Sequence, residues 1–193
     1  MADLPKGYTI QTKNFKNLIV WDKLGEGGQG AVYRVDYNGT AKALKWYSGK
    51  KFKNPNKFYT NLENNIKKGK PANIFLWPED ITEKTGEAFG YIMDLRPGDY
   101  RDFSKFLIGK EVFASVTAMV NTALHIVAGF RALHLKGYSY QDLNDGNFLS
   151  ILKTAMSLFA TTTMFRNTVR SQALRENPVT WRPRLWQRGR IQA

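Results

Sequence analysis

At 193 residues, the chain is long enough for one ordinary domain with a sizeable core, and 42% hydrophobic with 13% aromatic residues excludes a wholly disordered polypeptide. It contains no cysteine, which excludes disulfides and thiolate metal sites and fits a reducing, cytoplasmic compartment. The net charge of +13 has the size of a nucleic-acid or membrane signature, but its distribution is uneven. Residues 1–148 carry 21 basic and 15 acidic side chains, 17 of the basic ones lysine, whereas residues 149–193 carry 8 basic and 1 acidic, 7 of the 8 arginine. Composition therefore changes abruptly near position 149.

The N-terminal Met1-Ala2-Asp3-Leu4-Pro5-Lys6 lacks the apolar run of a secretory signal. Leu18-Ile19-Val20-Trp21 reads as a first strand and runs into Leu24-Gly25-Glu26-Gly27-Gly28-Gln29-Gly30, in which three glycines are spaced G-x-G-x-x-G. A dinucleotide fold would open a helix at the third glycine. Here Ala31 to Tyr37 has strand character, turns at Asn38-Gly39 and restarts as Thr40 to Tyr47, which is a hairpin signal. The glycine loop is thus a lid between strands, and the returning strand carries Lys45.

Residues 48–57 are rich in Lys and Asn and read as a solvated connector, and Phe58 to Lys68 as a helix with Phe58, Leu62 and Ile66 on one face, stopped by Gly69 and Pro71. Phe75-Leu76-Trp77 and Phe89 to Met93 read as strands around a turn at Thr85-Gly86, and Arg96-Pro97-Gly98-Asp99 as a hinge-like break. Tyr100 to Ile108 reads as helical. A long helix follows, with Val116, Val120, Leu124, Val127, Phe130 and Leu133 as its buried stripe and Gly137 at its end. Asn121, His125 and Arg131 interrupt its apolar run, which favours a buried helix over a membrane span. The two histidines, His125 and His134, are expected to be packed helix residues.

After Gly137 comes Tyr138-Ser139-Tyr140-Gln141-Asp142-Leu143-Asn144-Asp145-Gly146-Asn147-Phe148. Asp142 and Asn147 are five apart in a polar loop, where a carboxylate can take a proton from a hydroxyl and an amide can hold a metal ion. Alone, such a pair is more often an Asx-type turn. The order of lid, strand lysine, helix with one acid (Glu63), hinge, long helix and loop is more specific.

On these motifs residues 17–149 resemble the protein kinase family, most closely bacterial Ser/Thr-type members. The resemblance implies an α+β, protein kinase-like fold, with a β-rich N-lobe over 1–95, the start of a helical C-lobe over 96–148, and an out-of-family basic tail over 149–193, poorly ordered. It implies ATP and magnesium as cofactors and a protein Ser/Thr hydroxyl as acceptor, with no membrane or nucleic-acid partner. The lid, Gly25, Glu26, Gly27, Gly28, Gln29 and Gly30, would cover the phosphates, Lys45 would orient them and Glu63 would pair with Lys45. Leu24, Val32 and Ala43 would roof the adenine, Met93-Asp94-Leu95 would be the hinge, and Asp99 a ribose contact. Asp142 would be the catalytic aspartate and Asn147 a magnesium ligand. The chain departs from the family in Tyr140-Gln141, where His-Arg is usual, and in Asn144, where a lysine is usual. Related readings are a small-molecule phosphotransferase of the aminoglycoside or lipopolysaccharide kinase type, which shares the Asp–Asn loop, and a non-catalytic nucleotide-binding module.

No aspartate occurs after Asp145, whereas a working kinase needs a second metal-binding aspartate soon after the asparagine. A change of reading frame near Phe148 would account for this. When each residue's last codon base is read with the first two bases of the next codon, Phe159 through Phe165 permits Cys-Asp-Asn-Asp-Asn-Val, and Pro178 through Arg184 permits Gly-Tyr-Met-Ala-Pro-Glu. The first resembles the metal-binding segment of these bacterial kinases and the second the end of their activation segment. The chain as written is expected to have little or no kinase activity, and an uncovered apolar face on the long helix.

Overall fold

The computed structural model describes residues 3–28, 30–48, 54–140, 143, 145–151, 157–159 and 165–167. Strands β1 (Thr9–Gln11), β2 (Asn17–Glu26), β3 (Gly30–Tyr37), β4 (Thr40–Tyr47), β5 (Asp80–Ile81) and β6 (Phe89–Met93) form an antiparallel sheet in the order β1-β2-β3-β4-β6-β5. The β3–β4 hairpin turns at Asn38 and Gly39, both with positive φ (53° and 78°), the geometry for which Asn-Gly is favoured. The Asp36 carboxylate closes the turn by accepting from the Gly39 N–H at 2.7 Å. The two edges of the sheet also meet: Thr12 bridges Thr82, and main-chain bonds join Lys13 to Ile81 and Glu83 to Gln11, each at 2.9 Å.

Alternation along the strands divides two cores. Leu44 and Trp46 join Leu18, Val20, Ala31, Tyr33, Val35 and Ile92 on one face. On the other face Ala43 and Tyr47 join Phe89, Tyr91 and Met93. Helix α1 (Pro55–Lys68) packs Tyr59 and Leu62 into this second core. It starts three residues earlier than the sequence reading places it. The Asn54 side chain accepts from the Lys57 N–H at 3.0 Å, and Pro55 occupies the first turn, where its missing N–H costs nothing.

The second lobe holds β7 (Tyr100–Asp102), α2 (Phe103–Leu107), α3 (Val116–Leu135), β8 (Tyr138–Tyr140), β9 (Phe148–Ile151), β10 (Ser157–Phe159) and β11 (Phe165–Asn167). Sheets β10-β9-β7 and β11-β8 are antiparallel. The expected helix over 100–108 is therefore a strand followed by a five-residue helix, because Tyr100 pairs with Ile151. The expected strand over 75–77 is a buried segment making a single bridge, Phe75 to Phe159, and the strand lies at 80–81. The expected tail begins inside the fold, since Leu149, Leu158 and Phe159 are core residues.

The long helix exists as expected, and Phe130 and Leu133 of its expected stripe face the core, but the first four residues of that stripe do not. Ser115 caps it by accepting from the Ala118 N–H at 3.1 Å. Its buried residues are Ala118, Thr122, Gly129 and Leu133, while Val116, Val120, Leu124 and Val127 are 48–73% exposed. His125 and His134 are exposed rather than packed. Small residues win because the helix lies close to its neighbours: a Cβ on Gly129 would stand 2.4 Å from the Phe159 ring and 2.6 Å from Ile74. Thr122 also bonds Ser150 at 3.2 Å and accepts through its carbonyl from the Ser157 hydroxyl at 3.4 Å. Among the described residues α3 is the helix long and apolar enough, by length and composition alone, to cross a bilayer.

Candidate nucleotide site

The lid is the β2–β3 turn. Gly25 lies at the second of two register shifts that bend β2, and Glu26 closes the ladder against Ala31. The Gly27 N–H donates to the Gly30 carbonyl at 2.9 Å. An added Cβ on Gly25, Gly27 or Gly28 would meet no heavy atom within 4 Å, so the lid's main chain is open to a ligand's approach. Gly30 serves a different purpose. A Cβ there would lie 2.2 Å from the Trp46 carbonyl oxygen, so glycine lets β3 start flush against β4. The Glu26 carboxylate is turned onto Lys23 at 2.7 Å, which with its charge holds it below the usual carboxylate range. Gln29 lies outside the described residues.

Lys45 sits opposite Val32 of β3 and Tyr91 of β6. Alternation with Ala43 and Tyr47 sends it to the face shared with α1 and the second lobe. It is half-buried, with its ammonium 5.9 Å from the Tyr47 ring centroid, and among the described residues it enters no ion pair. The expected Lys45–Glu63 pair is not formed. Glu63 instead bonds Lys13, on the segment between β1 and β2. The reason is helix rotation: Tyr59, Leu62 and Asn65 are buried, which swings residue 63 away from β4 toward the sheet edge.

Most of the residues expected around the adenine share one apolar cluster, with one exception and one addition. Ala43 and Met93 are buried in one cluster, with Val32 and Leu95 packed against it. Leu24 is instead 53% exposed at the outer edge of β2. The addition is Leu149, 1% exposed, which reaches the same cluster from the other lobe together with Tyr100 and Leu158. Its signal was the apolar pair directly after Asn147, where a loop ends against a core.

The hinge follows β6. Among the described residues no hydrogen bond outside the sheet ladders uses the main chain of 94–96. The Asp94 side chain accepts from Lys42 at 2.7 Å and Lys70 at 3.4 Å, and Lys42 also reaches Glu79 at 2.8 Å. Burial works to raise the Asp94 carboxyl, but the Lys42 hydrogen bond and the two ammonium charges outweigh it and hold it below the usual range. Asp99 falls in the exposed turn before β7.

Asn147 ends a single 3-10 turn (Asp145–Asn147) that feeds β9, and is 8% exposed. Asp142 and its neighbours Gln141 and Asn144 lie outside the described residues. Among the described residues no group of three or more His, Asp or Glu is placed to hold a metal ion. Asn147 alone does not make a magnesium site.

No protein-family model matches the chain, and no curated protein matches it. Solved structures do. The chain is similar to vaccinia related kinase 3 (TM-score 0.62, 14% identity, covering 86% of this chain and 53% of that one). It is also similar to the Mycobacterium tuberculosis PknI kinase domain (TM-score 0.60, 21% identity, 84% and 64%), and to a double mutant of that domain (TM-score 0.63, 20% identity, 84% and 64%). The fold is protein kinase-like, and the chain spans about half to two thirds of the kinase structures it matches.

Proposed function

We propose that this chain is a kinase-like ATP-binding domain, whose ancestral chemistry is transfer of the ATP γ-phosphoryl to a Ser/Thr hydroxyl of a protein and whose own activity is weak or absent. The observation that carries this reading is the pairing of an open glycine lid with Lys45 on the strand beneath it, an ammonium that no carboxylate among the described residues neutralises. A triphosphate supplies the missing negative charge. The neighbouring residues suit the rest of the nucleotide too: Val32, Ala43, Met93 and Leu149 belong to one apolar cluster, and the bare hinge main chain has donors and acceptors for a purine edge.

In this reading the lid's N–H groups and Lys45 bind and orient the phosphates, so catalysis in the ancestral enzyme is chiefly positioning and charge stabilisation. Asp142 would accept the acceptor hydroxyl's proton. Magnesium, when bound, would supply charge neutralisation for the phosphates. Asn147 is the one described residue that would serve as its ligand, through the side-chain amide oxygen. The cellular setting proposed is the cytoplasm, with neither a membrane nor nucleic acid as partner.

Titration of the purified chain with ATP, with and without magnesium, beside Lys45→Ala, tests the reading. A charge-assisted hydrogen bond is worth about 1.5–3 kcal/mol, so the variant should bind roughly tenfold to 150-fold more weakly. Equal affinity in the two proteins would overturn it.

A further inference from the structure

The sheet order β4-β6-β5 sets the strand that enters the hinge between two neighbours, and one ammonium spans all three. The β4–β6 register ends with Ala43 opposite Met93. Lys42 and Asp94 therefore face each other one step beyond the last rung, where cross-strand side chains are close enough to interact. The Lys42 ammonium donates to Asp94 Oδ1 at 2.7 Å and, across the end of β6, to Glu79 Oε2 at 2.8 Å and Oε1 at 3.0 Å. Glu79 is itself fastened to β6, its N–H donating to the Ile92 carbonyl at 2.8 Å. The Lys42 side chain is only 16% exposed, unlike the solvated surface pairs that contribute little.

We propose that Lys42 is a positioning residue for the purine: its grip on Glu79 and Asp94 fixes where the main chain of residues 94–95 is presented to the base. This role rests on the nucleotide-binding reading and adds to it a residue that does not itself touch the nucleotide. Alternation along β4 keeps Lys42 away. Ala43 and Tyr47 lie in the core on the Lys45 side, whereas Leu44 and Trp46 belong to the opposite one, and Lys42 shares their parity. Among the described residues the hinge has little else to hold it. No hydrogen bond outside the sheet ladders uses the main chain of 94–96, and the Lys70 contact to Asp94, at 3.4 Å, is longer than an N–H···O bond of ordinary strength. Without the Lys42 ammonium, two carboxylates now gathered on one nitrogen would confront each other, and like charges placed opposite repel. Glu79 is held by its bond to Ile92, so the hinge is the side that would move.

The test titrates ATP and inorganic tripolyphosphate, at one magnesium concentration, into the full chain and into Lys42→Met, Lys42→Arg, Glu79→Gln and Asn54→Ala. Tripolyphosphate lacks the purine, so the ratio of the two dissociation constants isolates the contribution of the hinge, and the general loss of one positive charge cancels. One misplaced neutral hydrogen bond is worth roughly threefold to tenfold in affinity, so Lys42→Met should weaken ATP by about that factor and leave tripolyphosphate nearly unchanged. Lys42→Arg keeps a cation able to fork onto both carboxylates and should restore most of the ATP affinity. Glu79→Gln, a milder change that loosens one arm of the grip, should shift the ratio in the same direction by a smaller factor. Asn54→Ala removes the α1 cap and lowers stability without touching the hinge, so its ratio should match that of the parent. A ratio unchanged in both Lys42→Met and Glu79→Gln, a parallel loss for both ligands, or an equal shift in Asn54→Ala would overturn the role of Lys42 alone. A parent chain that binds neither ligand would overturn the nucleotide reading and this role with it.

Discussion

Substituting Gly30 by alanine separates the structural glycine of the lid from the accessible ones. The new methyl would sit 2.2 Å from the Trp46 carbonyl oxygen and 3.1 Å from the Tyr47 ring, well inside the ~3.5 Å of an ordinary contact. The obstacle is backbone, so the first rungs of the β3–β4 ladder must open. Losing one or two ladder hydrogen bonds at about 0.5–1.5 kcal/mol each gives roughly 0.5–3 kcal/mol. In a chain of this size that lowers the melting temperature by on the order of 5 °C. Gly28→Ala adds the same methyl where no heavy atom lies within 4 Å, so its stability should stay within about 0.5 kcal/mol of the parent while ATP affinity falls as the methyl stands between lid and phosphate. Circular-dichroism melts and ATP titration of both variants check this. A Gly30→Ala protein that melts with the parent, or a Gly28→Ala protein equally destabilised, would refute the division of roles.

Gly129→Val should destabilise by about 1–3 kcal/mol through overpacking, since its Cβ would meet Phe159 and Ile74 at 2.4 and 2.6 Å; urea unfolding measures it. Asn54→Ala removes the cap that receives the Lys57 N–H and should cost about 1 kcal/mol, read in the same assay. The Asp94 carboxyl is held below its usual range by Lys42 and Lys70. Its contribution is therefore fully present above the ordinary carboxyl value of ~3.9 and is lost as pH falls through the folded value. The side chain is 44% exposed, so at neutral pH the parent should exceed Asp94→Asn by less than about 1 kcal/mol. Urea melts of both down the pH scale should show the gap closing in acid, and a gap that widens would contradict the pairing.

The small lobe was legible because its signals are local. Asn38-Gly39 fixes one hairpin by backbone conformation, and the alternation of Ala43, Leu44, Lys45, Trp46 and Tyr47 fixes which side chains share a face. The face on which Lys45 lies, opposite Val32, follows from those two facts. Glu63 was not legible, because its partner depends on how α1 is rotated, and a helix with Phe58, Tyr59, Leu62 and Ile66 offers two adjacent apolar faces. The long helix misled for a related reason. Hydrophobicity ranks Val116, Val120 and Leu124 above Thr122 and Gly129, but close approach to Phe159 selects the residues with little or no side chain. Leu149 reaches the cluster from the point where composition changes, signalled only by the apolar pair that follows Asn147.

The meeting of β1 with β5 through Thr12, Lys13 and Glu83 has an effect on how copies of this protein can associate. A ribbon whose two borders are stitched together offers a neighbouring molecule little rail on which to add a strand. Clumping driven through the small lobe would first have to peel away residues 9–13. Removing those residues by proteolysis, rather than heating the intact protein, is the route by which this lobe would become sticky.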